Sequence, residues 1–216
     1  LYEFEKEFHS TLGVNYKTKD IDRFSKKLIK ENADVSFLKD MVLEKQQYHR
    51  IYFQVSLALI DNISEKLSFI ENNFELLKDW WHTDQLTVFL GNDLTFDVAY
   101  NKAKEYVKSE LPFVRRFGYV MFIPRLVKEQ AQIEKLIKLL HNDTEYYVIM
   151  GEAWLISYFA MCDAEMTYDF LKGCDLDYNI IGKAIQKICD SYVVSAEDKE
   201  KFKALRTLKK DRGFNK

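Results

Sequence analysis

Glycine and proline are scarce in this chain. Its 216 residues hold seven glycines and two prolines, about 4% against the roughly 12% of an average protein. Sandwiches and barrels use such residues at many tight turns, whereas helices need them only at their ends, so the composition points to an all-helical chain. The three cysteines, Cys162, Cys174 and Cys189, are odd in number and form neither C-x-x-C nor a Cys/His cluster at zinc spacing. A disulfide framework and a zinc site are disfavoured, and the cysteines are expected as reduced core residues. Long apolar runs are missing too. The longest charge-free stretches, 51–60 and 153–162, are about half of the roughly 20 residues that span a bilayer, so they read as buried helices and no membrane partner is expected. No basic segment followed by an apolar one opens the chain, which makes a cytoplasmic location the default expectation. The sequence begins at Leu1 rather than Met, so a few further residues are expected before it. The patterns G-x-S-x-G, G-x-x-x-x-G-K-[ST], H-E-x-x-H and G-x-G-x-x-G are absent, which disfavours mononucleotide binding and zinc-hydrolase chemistry.

What is present is apolar and helical. Hydrophobic residues make up 47%, with 16 Phe and 13 Tyr, enough for a substantial core. Apolar positions recur at intervals of three and four, predicting helices near 2–10, 18–31, 34–45, 47–61, 64–79, 84–90, 95–108, 112–127, 130–140, 145–161, 164–172, 178–189 and 195–209. Ser64, Thr95, Pro112 and the Ser195/Asp198 pair read as start signals, and Gly91 and Gly173 as stops. Pro124 is expected to kink the 112–127 segment or end it early. Helices on short links stack as antiparallel pairs, and Val114–Val120 can be laid over Val148–Trp154 at an offset of 34, a helix-pair period. The expected fold is therefore all-α, a HEAT-like right-handed helical-repeat solenoid with a concave face, forming one domain over 1–216 with a basic tail at about 209–216.

Four segments have unusual side-chain placement. In Asp79-Trp-Trp-His-Thr-Asp84, Trp80 and Asp84 are four apart and share a helical face if the preceding helix continues; otherwise Trp80 and Trp81 fill a core while Asp84 caps the next helix. Arg115 and Arg116 sit among apolar residues in Leu111-Pro-Phe-Val-Arg-Arg-Phe-Gly118. Arginines there need an anionic partner, either a carboxylate within the fold or a phosphate. The segment 145–159 is apolar nearly all round, with Glu152 its only interior charge, and predicts a central helix in which Trp154 alone reads as core. From Lys199 to Lys216, eight Lys/Arg face two acids in a chain whose net charge is −2. That tail is either a solvated final helix or a polyanion contact.

Together these segments resemble the bacterial DNA alkylation repair enzymes of the AlkD type, most closely over 75–205. Asp79–Asp84 is similar to the family's Asn-Trp-x-x-x-Asp motif, with Trp80 and Asp84 on the matching positions. Arg116 looks like the arginine of its Arg-Arg motif, and Trp154, in Ala-Trp-Leu-Ile-Ser, like its second tryptophan. Gly182-Lys-Ala-Ile-Gln-Lys-Ile-Cys-Asp-Ser-Tyr-Val-Val-Ser-Ala-Glu-Asp-Lys199 resembles the family's Asn-Lys-Ala-x-Gln-Lys ending and is the most specific part. Separations of 36 residues from Trp80 to Arg116 and 38 from there to Trp154 would let one solenoid face present them all. The resemblance implies an N-glycosylase that excises cationic alkylated purines, 3-methyladenine and 7-methylguanine, from double-stranded DNA, as a monomer with neither metal nor organic cofactor. It implies Asp84 for electrostatic and water-positioning catalysis, Trp80 and Trp154 for lesion contact, Arg116 and Arg115 for the backbone, and Lys183, Lys187 and Arg206 as further DNA contacts. The chain departs from the family in its net acidity, in Met150 where Lys is common, in bulky Trp81 and His82 inside the first motif, and in having only Tyr2 or Phe4 near the family's N-terminal tyrosine. A catalytically silent HEAT scaffold for nucleic acid or protein is the alternative.

Overall fold

The structure, a computed structural model, describes residues 2–13 and 15–213, with side chains as far as residue 210 at the C-terminal end. Every regular element among the described residues is helical. Residues 214–216 of the expected basic tail lie outside the described residues, as do the side chains of 211–213. The chain divides into two compact units, 1–94 and 95–216.

The first unit contains α1 (Tyr2–Leu12), α2 (Thr18–Lys30), α3 (Gln46–Ala58), α4 (Ile63–Glu71) and α5 (Trp80–Leu90), with short 3-10 turns at Ser36–Met41, Phe74–Leu76 and Gly91–Asp93. Helix α3 is its centre: Tyr48, His49, Ile51, Tyr52, Phe53, Val55 and Leu57 are all buried, and it packs against α2 on one side and α5 on the other. Two expectations are corrected here. The segment 34–45 forms only a 3-10 turn. The helix expected over 64–79 ends at Glu71, and the one expected at 84 begins at Trp80. The physical reason is capping. Asn62, not Ser64, accepts the Glu65 amide at 2.9 Å, and Asp79 accepts the Trp80 amide at 2.7 Å, so a new helix starts directly after Asp79.

The second unit contains α6 (Phe96–Tyr106), α7 (Pro112–Val120), α8 (Gln130–Ile137), α9 (Tyr146–Cys162), α10 (Ala164–Gly173), α11 (Tyr178–Asp190) and α12 (Ala196–Gly213). Alternate helices pack side by side, α7 on α9 and α9 on α11, while α6 backs α7, and α10 and α12 pack together. That alternation is the packing of a helical repeat. The two segments related by the offset of 34 fall on α7 and α9, neighbours in one layer. Helix α9 is apolar and central as expected, with Glu152 fully buried. Thr95 and the Ser195/Asp198 pair cap α6 and α12, Pro112 opens α7, and α7 stops at Val120, ahead of Pro124. The three cysteines are free, but each is half-buried rather than core. They lie near helix ends, where one side of the chain faces solvent.

Gly118 marks the closest approach of α7 to the end of α6. A Cβ there would lie 2.9 Å from Val107 Cγ1 and 3.2 Å from the Val107 backbone nitrogen. Gly118→Ala is expected to cost about 1–3 kcal/mol through overpacking. Gly173→Ala, where a Cβ meets nothing within 4 Å, is expected to be neutral or to stabilise by up to ~1 kcal/mol. Urea denaturation of both variants against the parent checks the pair.

Candidate nucleic-acid interface

Helix α5 carries Trp80 and Asp84 one turn apart on one face. Asp79 orients the paired tryptophans. Its Oδ1 caps the helix at Trp80, and its Oδ2 accepts the Trp81 indole N–H at 3.1 Å. Trp81 is thereby drawn onto His82 and His49 in edge-to-face contacts, while Trp80 is left 45% exposed. The reading that puts Trp80 in a core is overturned. Asp84 is half-buried, with Oδ1 accepting the Thr83 hydroxyl at 3.3 Å. It caps nothing, since it sits in the second turn of α5. Asp79 and the asparagine at the matching position of the motif share an N-capping side chain, so that position sets where the helix begins.

Beneath this face lies a buried polar network that the sequence did not reveal. The Gln85 side-chain amide donates to His49 Nδ1 at 2.7 Å, and its oxygen accepts from Arg50 at 3.3 Å. Arg50 in turn forms a forked pair with Asp22 at 2.7 and 3.0 Å. With Nδ1 accepting, His49 carries its proton on Nε2 and donates to the Leu76 carbonyl at 3.2 Å. His82 Nδ1 accepts the Lys78 amide at 3.0 Å, so its proton also lies on Nε2. The two imidazoles stack 3.6 Å apart. Burial depresses both, His49 to about 3 and His82 to about 4, so the stack is neutral. No local pattern in the sequence marks this network.

On the second unit, Tyr146, Met150, Trp154 and Tyr158 follow one another at four-residue spacing along α9, all of them half-buried or exposed. Two α11 lysines, themselves four apart, lie over this row: Lys183 Nζ is 4.9 Å from the Tyr146 ring centre and Lys187 Nζ is 5.6 Å from that of Trp154. Three sequence-predicted residues, Trp154, Lys183 and Lys187, are thus brought together, and Trp154 belongs to a surface row rather than to the core. The arginines behave differently. Arg115 forks onto Asp143 at 2.7 and 3.2 Å and donates to the Ser109 and Glu110 carbonyls. Arg116 is 4% exposed, donates to the Tyr147 carbonyl at 2.8 Å, and fits against Gly151 on α9. Arg115 therefore has the carboxylate partner within the fold that the sequence allowed, and Arg116 holds α7 to α9. Arg206 is half-buried on α12, close enough to Cys189 to act on its thiol electrostatically. Several other α12 cations pair locally, Lys201 with Glu197 and Lys203 with Glu200. Among the described residues, no group of three or more His, Cys, Asp or Glu is placed to hold a metal ion, and no helix is long and apolar enough to cross a membrane.

The aromatic row overlain by lysines suits a ligand that is both anionic and aromatic, whereas the exposed indole beside a carboxylate on the first unit suits a cationic group. Comparison with known proteins gives that ligand a class. The sequence model of the family described as DNA alkylation repair enzyme matches residues 3–206. The chain belongs to the DNA alkylation repair enzyme family. A role in the repair of alkylated DNA, and hence interaction with DNA, follows from membership. No curated protein and no solved structure gives a significant match. The family match spans both units, so the features of α5 and of α9 and α11 all lie within the family's own length.

Titration links the buried groups to stability. The folded-state pKa values of His49 and His82 lie below the ordinary 6.5, so below pH 6.5 the unfolded chain binds more protons and stability falls as pH drops toward 4. Each imidazole adds a slope approaching 1.4 kcal/mol per pH unit. Glu152 acts with the opposite sign. Burial pushes its carboxyl up to about 8, so stability falls as pH rises from 4.5 through about 8. Denaturation midpoints from pH 5 to 9 are expected to trace a dome. His82→Asn, which keeps an acceptor for the Lys78 amide, should flatten its acid side, and Glu152→Gln its alkaline side.

Proposed function

We propose that the protein is a DNA N-glycosylase that excises cationic alkylated purines, 3-methyladenine and 7-methylguanine among them, from duplex DNA. The observation that carries this reading is the pairing on α5 of an exposed Trp80 with a half-buried Asp84 one turn away. A purine alkylated at N3 or N7 carries a full positive charge, so the base leaves without a general acid. The C1′–N9 bond breaks, its electron pair neutralises the base, and an oxocarbenium-like sugar remains. The Asp84 carboxylate opposes that positive charge and accepts a hydrogen bond from the water that attacks C1′. The water's proton passes to solvent or to the carboxylate, leaving an abasic sugar and a free neutral base. Trp80 offers the cationic nucleoside an electron-rich face worth about 0.5–2 kcal/mol. On the second unit, Trp154 offers DNA an aromatic face of its own, and Lys183 and Lys187 take backbone phosphates. Arg116, nearly buried, acts as a positioning residue that fixes α9 on α7, while Arg115, forked onto Asp143, and Arg206 on α12 are further DNA contacts of this reading. The chemistry asks for no metal or organic cofactor, and a monomer acting in the cytoplasm is the expected form.

The catalytically silent scaffold is the second reading, favoured by the internal bonding of Arg115 and Arg116. Base release separates the two. Methylated duplex DNA incubated at low salt with the parent should lose 7-methylguanine and 3-methyladenine, and Asp84→Asn should release them roughly 10²–10³-fold more slowly. Binding without release by the folded parent would leave the scaffold. In filter binding across a salt series, Lys183→Ala/Lys187→Ala is expected to shallow the log–log slope by about 1.8, two phosphate contacts' worth.

A further inference from the structure

The second unit holds a cleft away from the α9/α11 row. It encloses about 570 Å³ between α6, the start of α7 and the turn after α8. Lys104, Lys108, Lys138, Arg115 and His141 line it together with Tyr100 and a short aliphatic wall, and no Asp or Glu does. In a chain with slightly more acids than bases, that sorting of charge is local. Lys108 and Lys138 are exposed and make no ion pair among the described residues. Lys104 lies 5.4 Å from the Tyr100 ring centre.

The cleft also has a fixed back wall. Asp143 and two carbonyls engage four of the five N–H donors of Arg115, and its charge is largely offset by Asp143. His141 is held at both ends. Its backbone N–H donates to Glu152 Oε1 at 3.1 Å and its Nδ1 lies 2.6 Å from the Tyr119 hydroxyl. The positive potential therefore comes from three exposed lysines set before a hydrogen-bonded polar wall, beside an aromatic ring.

We infer that this cleft binds a phosphomonoester carried on a nucleoside, with the phosphate among Lys104, Lys108 and Lys138 and the sugar or base against Tyr100 and the aliphatic wall. A doubly charged terminal phosphate matches three lysines better than a singly charged diester does. A volume of 570 Å³ lies in the range usual for small-molecule sites. Two sources share this chemistry, a free mononucleotide and the terminal nucleotide at a strand break. The inference does not depend on the roles of Trp80 and Asp84.

Calorimetric titration of the full chain with deoxyadenosine 5′-monophosphate and with deoxyadenosine is the first test. The nucleotide should bind and the nucleoside should not. Lys108→Glu/Lys138→Glu, with folding checked by thermal melting, should weaken nucleotide binding by about tenfold or more, while base release by this variant stays at the parental rate. Should that variant misfold, Lys108→Gln/Lys138→Gln serves in its place. A nicked duplex with a 5′-phosphate or a 5′-hydroxyl identifies the source. Preference for the phosphate, lost in the variant, assigns the terminal nucleotide, and equal binding of the two duplexes alongside nucleotide binding assigns the free one. The inference is overturned if the parent saturates with neither nucleotide nor phosphorylated nick, or if the variant binds as tightly as the parent.

Discussion

The first unit depends on one buried amide. Gln85 joins α5 to α3 by donating to His49 and accepting from Arg50, and a buried polar side chain of this kind is stable only when its partners are in place. Because Arg50 is itself anchored on Asp22 of α2, the network ties three helices together and fixes the rotation of α5 about its axis. That rotation decides which side chains face water. It turns His82, Gln85 and Leu86 inward and leaves the face of Trp80 and Asp84 accessible. The base excision proposed for Asp84 would need such rigidity, since a carboxylate that shifts by an ångström stabilises a developing charge far less well.

The second unit is organised by the apolarity of α9. A helix buried on nearly every side can serve as the middle of a layer, and α7 and α11 flank it. Its one interior charge is Glu152, whose Oε2 has no hydrogen-bond partner. The carboxyl is therefore kept protonated by burial. Its bond to His141 steadies the turn that closes the α6/α7 cleft, so one buried acid links the central helix to a surface feature. The remaining edge of α9 follows from its period: residues four apart form a row, and Lys183 and Lys187 on α11 meet that row because they too are four apart.

Much of this was legible in the sequence. Scarce glycine and proline with three-four periodicity fix an all-α chain, and the offset of 34 falls on two helices that pack side by side. Trp80 and Asp84 were identifiable as a pair, though the expected reason, continuation of the preceding helix, was wrong: Asp79 starts a new one. Lys183, Lys187 and Trp154 were named separately and only folding makes them neighbours. The histidines were not legible, because a single His in an apolar run carries no sign of whether it meets another imidazole, a carbonyl or solvent. Arg115 and Arg116 looked equivalent and are not. Adjacent residues on a helix point about 100° apart, so one reaches Asp143 and the other turns under α9.

The sequence by itself determined most of the helices, caps such as Thr95 and Ser195, and the apolar faces, because these depend on residues within one or two turns of each other, where periodicity and hydrogen-bond geometry are local. Only the tertiary structure decided which polar groups are used internally and which face outward. Asp143 is 28 residues from Arg115, and Gln85 is 36 from His49. Such partners are chosen by packing across helices, and no local pattern in the chain records them.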